Sequence, residues 1–572
     1  MSGNTEEVKK PDTREARIGV FVCHCGSNIA GVLDCEALTK YATTLPPVVY
    51  AKDNLYTCSE AGIAEIKGAI EEHGLTRVVV ASCSPRTHLP LFKSACAEAG
   101  LNPYLFEMAN IRDQCSWVHM QEKGLAQEKA MDLIRMAVAK ATYLEPQQDI
   151  ESSLVRKALV IGGGVAGLSA AGAMADMGVD VVLVEKEPQL GGLLRRINRL
   201  APRGESASEL VQDLVKQVRS KTRLKTMLES EVAAVGGVIG NYEVTIRDHK
   251  GTETQEVVGC IVVATGARPL QPDGQFGYNG RNVVTQIELE EKLRNGSFAA
   301  QHVVMIQCVG ARCPERTYCS RICCLTAVKN ALYIRERNPD AQVHILYRDI
   351  QMYGVENERI LWESRGKGVR FDVYDVERPP VIQEDLVQVY QPLVGEVEEI
   401  PYDLVVLSTP LVAPEKTPAL ANLMRLPLDQ NNFFMEAHAK LRPLDFATDG
   451  IFLCGTARYP ATVSEAQAQG LGAAARASTI LFKDRLVTSA LVSFITEQCD
   501  GCALCLDICP YYALQLEEYE EGNRIHKRVK SDNILCKGCG VCAATCPKGG
   551  VEVKGFTQKQ LSAQVDAALE GI

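Results

Sequence analysis

Eight of the 22 cysteines fall into two runs of identical spacing near the end of the chain. Cys499, Cys502, Cys505 and Cys509 precede Pro510; Cys536, Cys539, Cys542 and Cys546 precede Pro547. The pattern C-x2-C-x2-C-x3-C-P lets three thiolates of a tight loop converge on three irons of a small cube, and the proline turns the chain back. In a pair of such runs the fourth cysteine serves the other run's cluster. One 4Fe–4S cubane is therefore expected on Cys499, Cys502, Cys505 and Cys546, and a second on Cys536, Cys539, Cys542 and Cys509. Zinc knuckles and disulfides compete with this reading, but structural zinc takes paired C-x2-C rather than triplets with a trailing C-P. Cubanes of this kind pass single electrons.

A second chemistry begins at Ala158. A β-run, Ala158 to Ile161, meets Gly162-x-Gly164-x-x-Gly167, with Val165 and Ala166 opening a small-residue helix. A second β-run, Asp180 to Val184, ends at Glu185-Lys186. This is the dinucleotide fingerprint in its required context. Gly162 permits the tight turn, Gly164 lets backbone approach pyrophosphate, and Gly167 lets helix and strand pack closely. The helix start offers free N–H groups and a positive dipole end to phosphate. Glu185 is placed for a ribose hydroxyl. Three later marks favour FAD over NAD: Gly191-Gly192, the apolar strand ending in Ala264-Thr265-Gly266, and the late strand ending at Gly455-Thr456. In this order they resemble the two-dinucleotide-domain flavoproteins such as thioredoxin reductase. The resemblance implies that the Ala-Thr-Gly segment leads between two domains and that the late glycine runs past the flavin. That family usually has Gly-Asp at the late mark, where this chain has Gly455-Thr456. The competing reading is a purely structural nucleotide-type fold.

Where such flavoproteins carry a second glycine-rich turn for NAD(P)H, this chain carries thiols. The strand His302 to Gln307 runs into Cys308, Cys313, Cys319, Cys323 and Cys324, then a helix from Leu325 and a strand from Gln342 to Tyr347. A redox C-x-x-C is missing, and vicinal Cys323-Cys324 is a poor disulfide shuttle. A metal site on Cys308, Cys319, Cys323 and Cys324 is expected, with Cys313 before Pro314 as the spare. Packing as small apolar side chains accounts for one or two of these thiols, hardly for five.

Longer motifs now carry a further resemblance. IQCVGAR, YCSRICC and AVKNA, with Cys23-His-Cys25-Gly, Ala-Ser-Cys83-Ser-Pro-Arg and Asn-Ile-Arg-Asp-Gln-Cys115-Ser-Trp, are similar to the family of heterodisulfide reductase A subunits. The resemblance runs from Arg17 onward. It implies an HdrA-like iron–sulfur flavoprotein with FAD and several 4Fe–4S clusters, part of a larger complex, in a family where some members bifurcate electrons at the flavin. The ligand set Cys308, Cys319, Cys323 and Cys324 matches the family's cluster on the flavoprotein domain. Lys329 matches a position near the flavin ring and is the one candidate catalytic residue; otherwise it reads as a solvated helix lysine. A further cluster is implied in the N-terminal domain, on four of Cys23, Cys25, Cys58, Cys83 and Cys115. Cys23 and Cys25 alternate sides on an extended segment, so Cys25, Cys58, Cys83 and Cys115 are preferred. Cys35 and Cys96 read as packing. Long family members insert an extra ferredoxin module after the region of Gly191-Gly192; Leu193 to Arg223 contains no cysteine, so this chain is a short form.

The elements that must position these groups give an α/β fold class. A thioredoxin-reductase-like FAD core is expected over 152–300, with a second dinucleotide-like domain at 301–415 and a return at 416–485. It is flanked by a small N-terminal α/β domain at 17–145 and a C-terminal α+β bacterial-type 2x4Fe-4S ferredoxin domain at 488–556. A C-terminal helix follows over 557–572, and residues 1–16 read as a disordered tail. The 572 residues, 46% hydrophobic and 23% charged, suit several globular domains. A net charge of −10 argues against nucleic acid and anionic membrane as main partners. No apolar run is long enough to span a bilayer, and the polar start lacks a signal core, so a cytoplasmic location is expected. That many thiols in a reducing compartment imply metal rather than disulfides.

Four clusters and one FAD are expected in all. The function expected is electron transfer in an anaerobic redox complex, by flavin-based electron bifurcation or confurcation. The alternatives are a relay that does not split electron pairs, and an NAD(P)H-dependent reductase resembling the small subunit of glutamate synthase. The resemblance implies a homodimer within a hetero-oligomer. Its partners would be HdrB-like, HdrC-like or MvhD-like subunits, another donor or acceptor, or ferredoxin.

Overall fold

A computed structural model describes residues 16–521 and 524–570. The tail expected over 1–16 lies, apart from Ala16, outside the described residues. Two compact units make up the fold: residues up to Glu151 together with Val487 onward, and Ser152–Leu486.

The chain opens with a four-stranded sheet of β1 (Ile18–Cys23), β2 (Val48–Asn54), β3 (Arg77–Ser82) and β4 (Phe106–Asn110), in the order β2-β1-β3-β4 and all parallel. Every residue of β1 and β3 is buried, as expected of central parallel strands covered on both faces. The helices α1 (Cys35–Ala42), α2 (Glu60–Glu72), α3 (Pro85–Glu98) and α4 (Lys123–Thr142) belong to this layer.

The second unit holds two parallel five-stranded sheets. The first contains β5 (Lys157–Ile161), β6 (Asp180–Val184), β7 (Leu224–Met227), β8 (Cys260–Val263) and a late strand, Ile451–Leu453. Helix α5 (Val165–Asp176) crosses from β5 to β6. The second sheet contains β9 (Val283–Thr285), β10 (His302–Ile306), β11 (Gln342–Tyr347), β12 (Arg370–Val373) and β13 (Leu404–Leu407), in the order β9-β13-β10-β11-β12. With it go α6 (Gln286–Asn295), started by a Thr285–Glu288 capping box, and α7 (Cys323–Arg337). Because β9 pairs with β13, the passage to the second domain falls before the expected 301. The pairing is set by a three-residue apolar strand too short to be assigned from its own sequence. The late strand is β14 (Ile451–Leu453), which pairs with β8, and α8 (Val463–Leu481) packs on α5.

In the C-terminal part β15 (Ser493–Ile495) pairs antiparallel with β18 (Val551–Val553). Between them stands the hairpin of β16 (Leu514–Glu521) and β17 (Arg524–Ser531). The helix expected over 557–572 is α9 (Gln558–Leu569); residues 571–572 lie outside the described residues. The expected N-terminal and ferredoxin domains are one unit here, because α9 lies along α4. Arg135 Nε donates to Ala567 O at 2.6 Å and Gln560 Nε2 to Tyr143 O at 2.8 Å. Tyr104 OH accepts the Ala490 amide at 2.9 Å. Among the described residues no helix is long and apolar enough to cross a membrane.

Candidate redox sites

Five segments of the second unit converge at the carboxyl ends of β5 and β8. Gly162 has φ +110°, and a Cβ there would collide with Ala264 O. A Cβ on Gly167 would strike Gly162 O, so the helix can approach the turn only as glycine. Gly164 caps α5 without any side-chain hydrogen bond, and the space beside it is open. Val165 and Ala166 form the first helical turn behind it. The Gly191 amide donates to Gly163 O at 2.8 Å, and the Cβ position of Gly192 lies 3.1 Å from Gly164 Cα. The two glycine turns therefore bracket one cradle. Ala264 N donates to Ile161 O at 2.8 Å, and the Cβ position of Gly266 lies 3.7 Å from Thr456 Oγ1. Gly455, with φ +69°, packs on Ala166.

This cradle fits FAD on the chain's own terms. The amides at the start of α5 are uncapped, and Thr265 Oγ1 is buried without a partner. Glu185 is buried; its Oε2 accepts the Gly163 amide at 2.6 Å and its Oε1 the Glu187 amide at 2.9 Å. Backbone bonds thus hold the carboxylate expected to meet ribose. Lys186 is exposed and its Nζ lies 4.0 Å from Glu187.

The thiol loop lies between β10 and α7. Cys308, Arg312 and Arg321 all have positive φ, +62°, +55° and +64°. Such left-handed residues are costly outside glycine, and here they fold the loop back on itself. Burial raises the Cys308, Cys323 and Cys324 thiols, the last to about 11. Cys308 and Cys319 each add to the rise at Cys323 and Cys324, so these four sulfurs share one electrostatic neighbourhood. Four thiolates that close need a cation to be ionised together, as metal ligation supplies. The Arg321 amide donates to Cys319 Sγ at 3.3 Å, and Cys323 Sγ donates to Thr409 O at 3.4 Å. Cys313 stands apart: together with a backbone N–H, which acts more strongly, its thiol holds the Glu315 carboxyl below its usual range.

In the C-terminal part the same reading separates two groups. Burial raises Cys505, with Cys499, Cys546 and Cys502 adding. Burial lifts Cys542 to about 11, with Cys536, Cys509 and Cys539 adding. Each group has the exchanged fourth cysteine. Backbone amides point at the sulfurs: Ser493 N and Gly538 N at Cys536 (3.2 and 3.4 Å), Ala513 N at Cys509 (3.4 Å), Gly550 N at Cys546 (3.2 Å).

The N-terminal site differs from expectation. Burial raises Cys58 and Cys83, and at both the neighbours are Cys23 and Cys25, with Arg112 opposing. Arg112 Nη1 donates to Cys25 Sγ at 3.7 Å, and the Thr57 amide to Cys23 Sγ at 3.4 Å. Cys115 is turned away: its thiol donates to Ala126 O of α4 at 3.0 Å. The expected alternation fails because Cys25 is left-handed, φ 47° and ψ 41°. The strand ends at Cys23 and the turn swings Cys25 to the same side. Cys35 and Cys96 are buried in the core of this layer. Among the described residues no three His, Cys, Asp or Glu side chains converge to hold a single metal ion; a cubane instead asks for one thiolate at each of four separate irons.

Lys329, on α7, is no solvated lysine. It is 6% exposed, with Nζ donating to Glu290 Oε1 and to Arg199 O at 2.9 Å. Burial lowers its pKa and Glu290 opposes the fall. Glu290, 2% exposed, also accepts the Asn198 amide at 2.9 Å. Removing one member of a buried pair strands the other charge, which costs about 3–5 kcal/mol. Lys329→Ala is therefore expected to lower the denaturant midpoint of the holoprotein sharply, beyond any effect on the flavin. Lys329→Met combined with Glu290→Gln is expected to recover most of that loss. An unchanged midpoint in the single variant would contradict the pair.

Several roles in these sites are not visible in the sequence: Arg112 beside Cys25, Glu290 beside Lys329 and Arg321 beside Glu465 are brought together by the fold.

Comparison with known proteins follows the same division. Residues 156–470 match the pyridine nucleotide-disulphide oxidoreductase family, and 498–550 match the 4Fe-4S dicluster domain. The chain is 37% identical to the iron-sulfur A subunit (the one numbered 2) of the CoB–CoM heterodisulfide reductase of Methanopyrus kandleri, over 88% of this chain and 92% of that one. That alignment spans 605 positions, more than the 572 residues of this chain, so the relative carries segments this chain lacks. It is 36% identical to the A subunit of the H(2):CoB-CoM heterodisulfide,ferredoxin reductase of Methanothermobacter thermautotrophicus, over 90% and 92%. The thioredoxin reductase of Lactococcus lactis aligns with 57% of this chain and 99% of its own, at 16% identity and a TM-score of 0.41.

Proposed function

This chain belongs to the heterodisulfide reductase HdrA family of iron–sulfur flavoproteins, and from that premise we propose that it is an electron-transfer subunit whose flavin splits or joins electron pairs, by flavin-based bifurcation or confurcation. It is an oxidoreductase with FAD and 4Fe–4S clusters. The observation that favours an electron-transfer subunit over an NAD(P)H reductase is the loop after β10. A nicotinamide site would need a glycine-rich turn there; the chain has four neighbouring thiols instead. A cluster held by Cys308, Cys319, Cys323 and Cys324 would supply single electrons, where a nicotinamide would supply hydride. FAD supplies the exchange between paired and single electrons. The residues supply the cradle at Gly162–Gly167, the buried Lys329–Glu290 pair, and the sulfur ligands.

We assign four clusters: two on the C-terminal runs, one on Cys308, Cys319, Cys323 and Cys324, and one on Cys23, Cys25, Cys58 and Cys83. A relay that does not split electron pairs is the second reading. The two differ in the order of the flavin's one-electron potentials. Titration of the flavin in the purified complex decides: crossed potentials support splitting, and well-separated potentials in normal order overturn it.

Partners follow from the wiring. Cys502 and Cys539 are exposed, so the C-terminal clusters lie near a surface where another protein's redox centre can approach. A hetero-oligomer built on a homodimer of this chain, with other redox subunits and ferredoxin as exchange partners, is proposed. Native mass spectrometry of protein from its own host is expected to find this chain with other redox subunits. Recovery only as a monomer with full turnover on small substrates would contradict it.

A further inference from the structure

Arg321 lies in the thiol loop between Cys319 and Cys323, yet its side chain reaches the helix that starts beside the flavin cradle. Its backbone amide donates to Cys319 Sγ at 3.3 Å. Its Nη2 donates to Glu465 Oε1 and to Tyr353 OH, both at 2.7 Å, and Nη1 donates to Pro460 O at 3.3 Å. Tyr353 OH in turn donates to Glu465 Oε1 at 2.9 Å. The guanidinium also stacks on Tyr353 and Tyr459, 5.3 and 5.2 Å from the ring centres.

Glu465 is half-buried and is held from two sides. It closes the capping box that starts α8: Thr462 N donates to Glu465 Oε2 at 2.8 Å. Tyr459 OH accepts Gln469 Nε2 at 3.2 Å, and Gln469 Oε1 accepts the Gly455 amide at 2.9 Å. Two paths of contact therefore run from a cluster ligand, one to the start of α8 and one to the flavin segment at Gly455. One passes Arg321, Glu465 and the start of α8; the other passes Arg321, Tyr459, Gln469 and Gly455.

We propose that Arg321 is a positioning residue that couples the cluster to the flavin. One fixed cation is tied to a ligand's sulfur through its backbone and to the flavin helix through its side chain. It favours an added electron on either centre. Arginine suits this place because its charge is permanent and its planar fork serves three acceptors at once; lysine keeps only the charge. The inference rests on the cluster assigned to Cys308, Cys319, Cys323 and Cys324.

The test is a redox titration of the full-length holoprotein, with the cluster followed by EPR and the flavin by absorbance. Arg321→Met is expected to move both potentials negative. The expected size is about a tenfold change in the oxidised-to-reduced ratio, some 59 mV for the one-electron cluster and about 30 mV for the two-electron flavin. Arg321→Lys is expected to recover most of both shifts. Arg312→Met serves as the control, because Arg312 pairs with Asp349 at 2.7 Å rather than with Glu465; it should move the cluster alone. Glu465→Gln keeps a competent capping residue and removes a negative charge, so both potentials should rise. A flavin potential that Arg321→Met moves no more than Arg312→Met overturns the proposal. If Arg321→Met does not retain its cofactors, an unmoved flavin in Glu465→Gln overturns it alone. If Cys323→Ala alters no cluster signal, the cluster assignment and this inference fall together. If that signal is present and the flavin stays unmoved, only this inference falls.

Discussion

Cys323→Ala removes one cluster's EPR signal and about four irons, since each cubane carries four, and leaves the two C-terminal clusters intact. The reason is locality. Cys323 has Cys324, Cys308 and Cys319 as its electrostatic neighbours. It lies in the Ser152–Leu486 unit, whereas the C-terminal runs lie in the other. Its thiol donates to Thr409 O at 3.4 Å and also meets the Ser320 side chain. Unchanged iron and unchanged spectra in Cys323→Ala would return the four thiols to packing.

Cys58→Ala and Cys115→Ala should differ as sharply. The first removes an N-terminal cluster, and with it about four irons. The second keeps every cluster and costs only the packing of one small side chain against α4. The contrast follows from Cys58 facing Cys23 and Cys25, while Cys115 donates to Ala126 O. Iron analysis with EPR of both variants checks it. Equal iron loss in the two, or loss in Cys115→Ala alone, would reverse the assignment of the fourth ligand from Cys23 to Cys115.

The difference between Cys23 and Cys115 marks where sequence reasoning reaches its limit. Spacing within a few residues is a local property, so the Gly162–Gly167 turn was legible: its glycines and the start of the helix behind it sit in one short segment. Alternation along an extended segment was also a sound rule for Cys23 and Cys25, but it holds only while the chain stays extended. The left-handed turn at Cys25 ends it, and a non-glycine residue in that conformation leaves little trace in the sequence. The early passage into the second sheet was hidden for a related reason. Val283–Thr285 is recognisable as a strand only through its partner β13, some 120 positions later. Charges meet across similar distances. Arg321 and Glu465 are 144 positions apart, and Lys329 and Glu290 39. Lys329 lies on a helix whose pattern admits a solvated face, and only the packing of α7 against α6 makes it a buried partner of Glu290.

Membership of the family and the α/β flavoprotein core leave one question at the centre: how many electron carriers the chain holds. Protein purified without oxygen, or reconstituted, should contain one FAD and about sixteen irons per chain, four for each of four cubanes. Quantitative iron and flavin analysis on the same sample measures this directly. About eight irons with one FAD would mean that only the C-terminal runs are metallated, and would contradict both the cluster beside the flavin and the one in the N-terminal sheet.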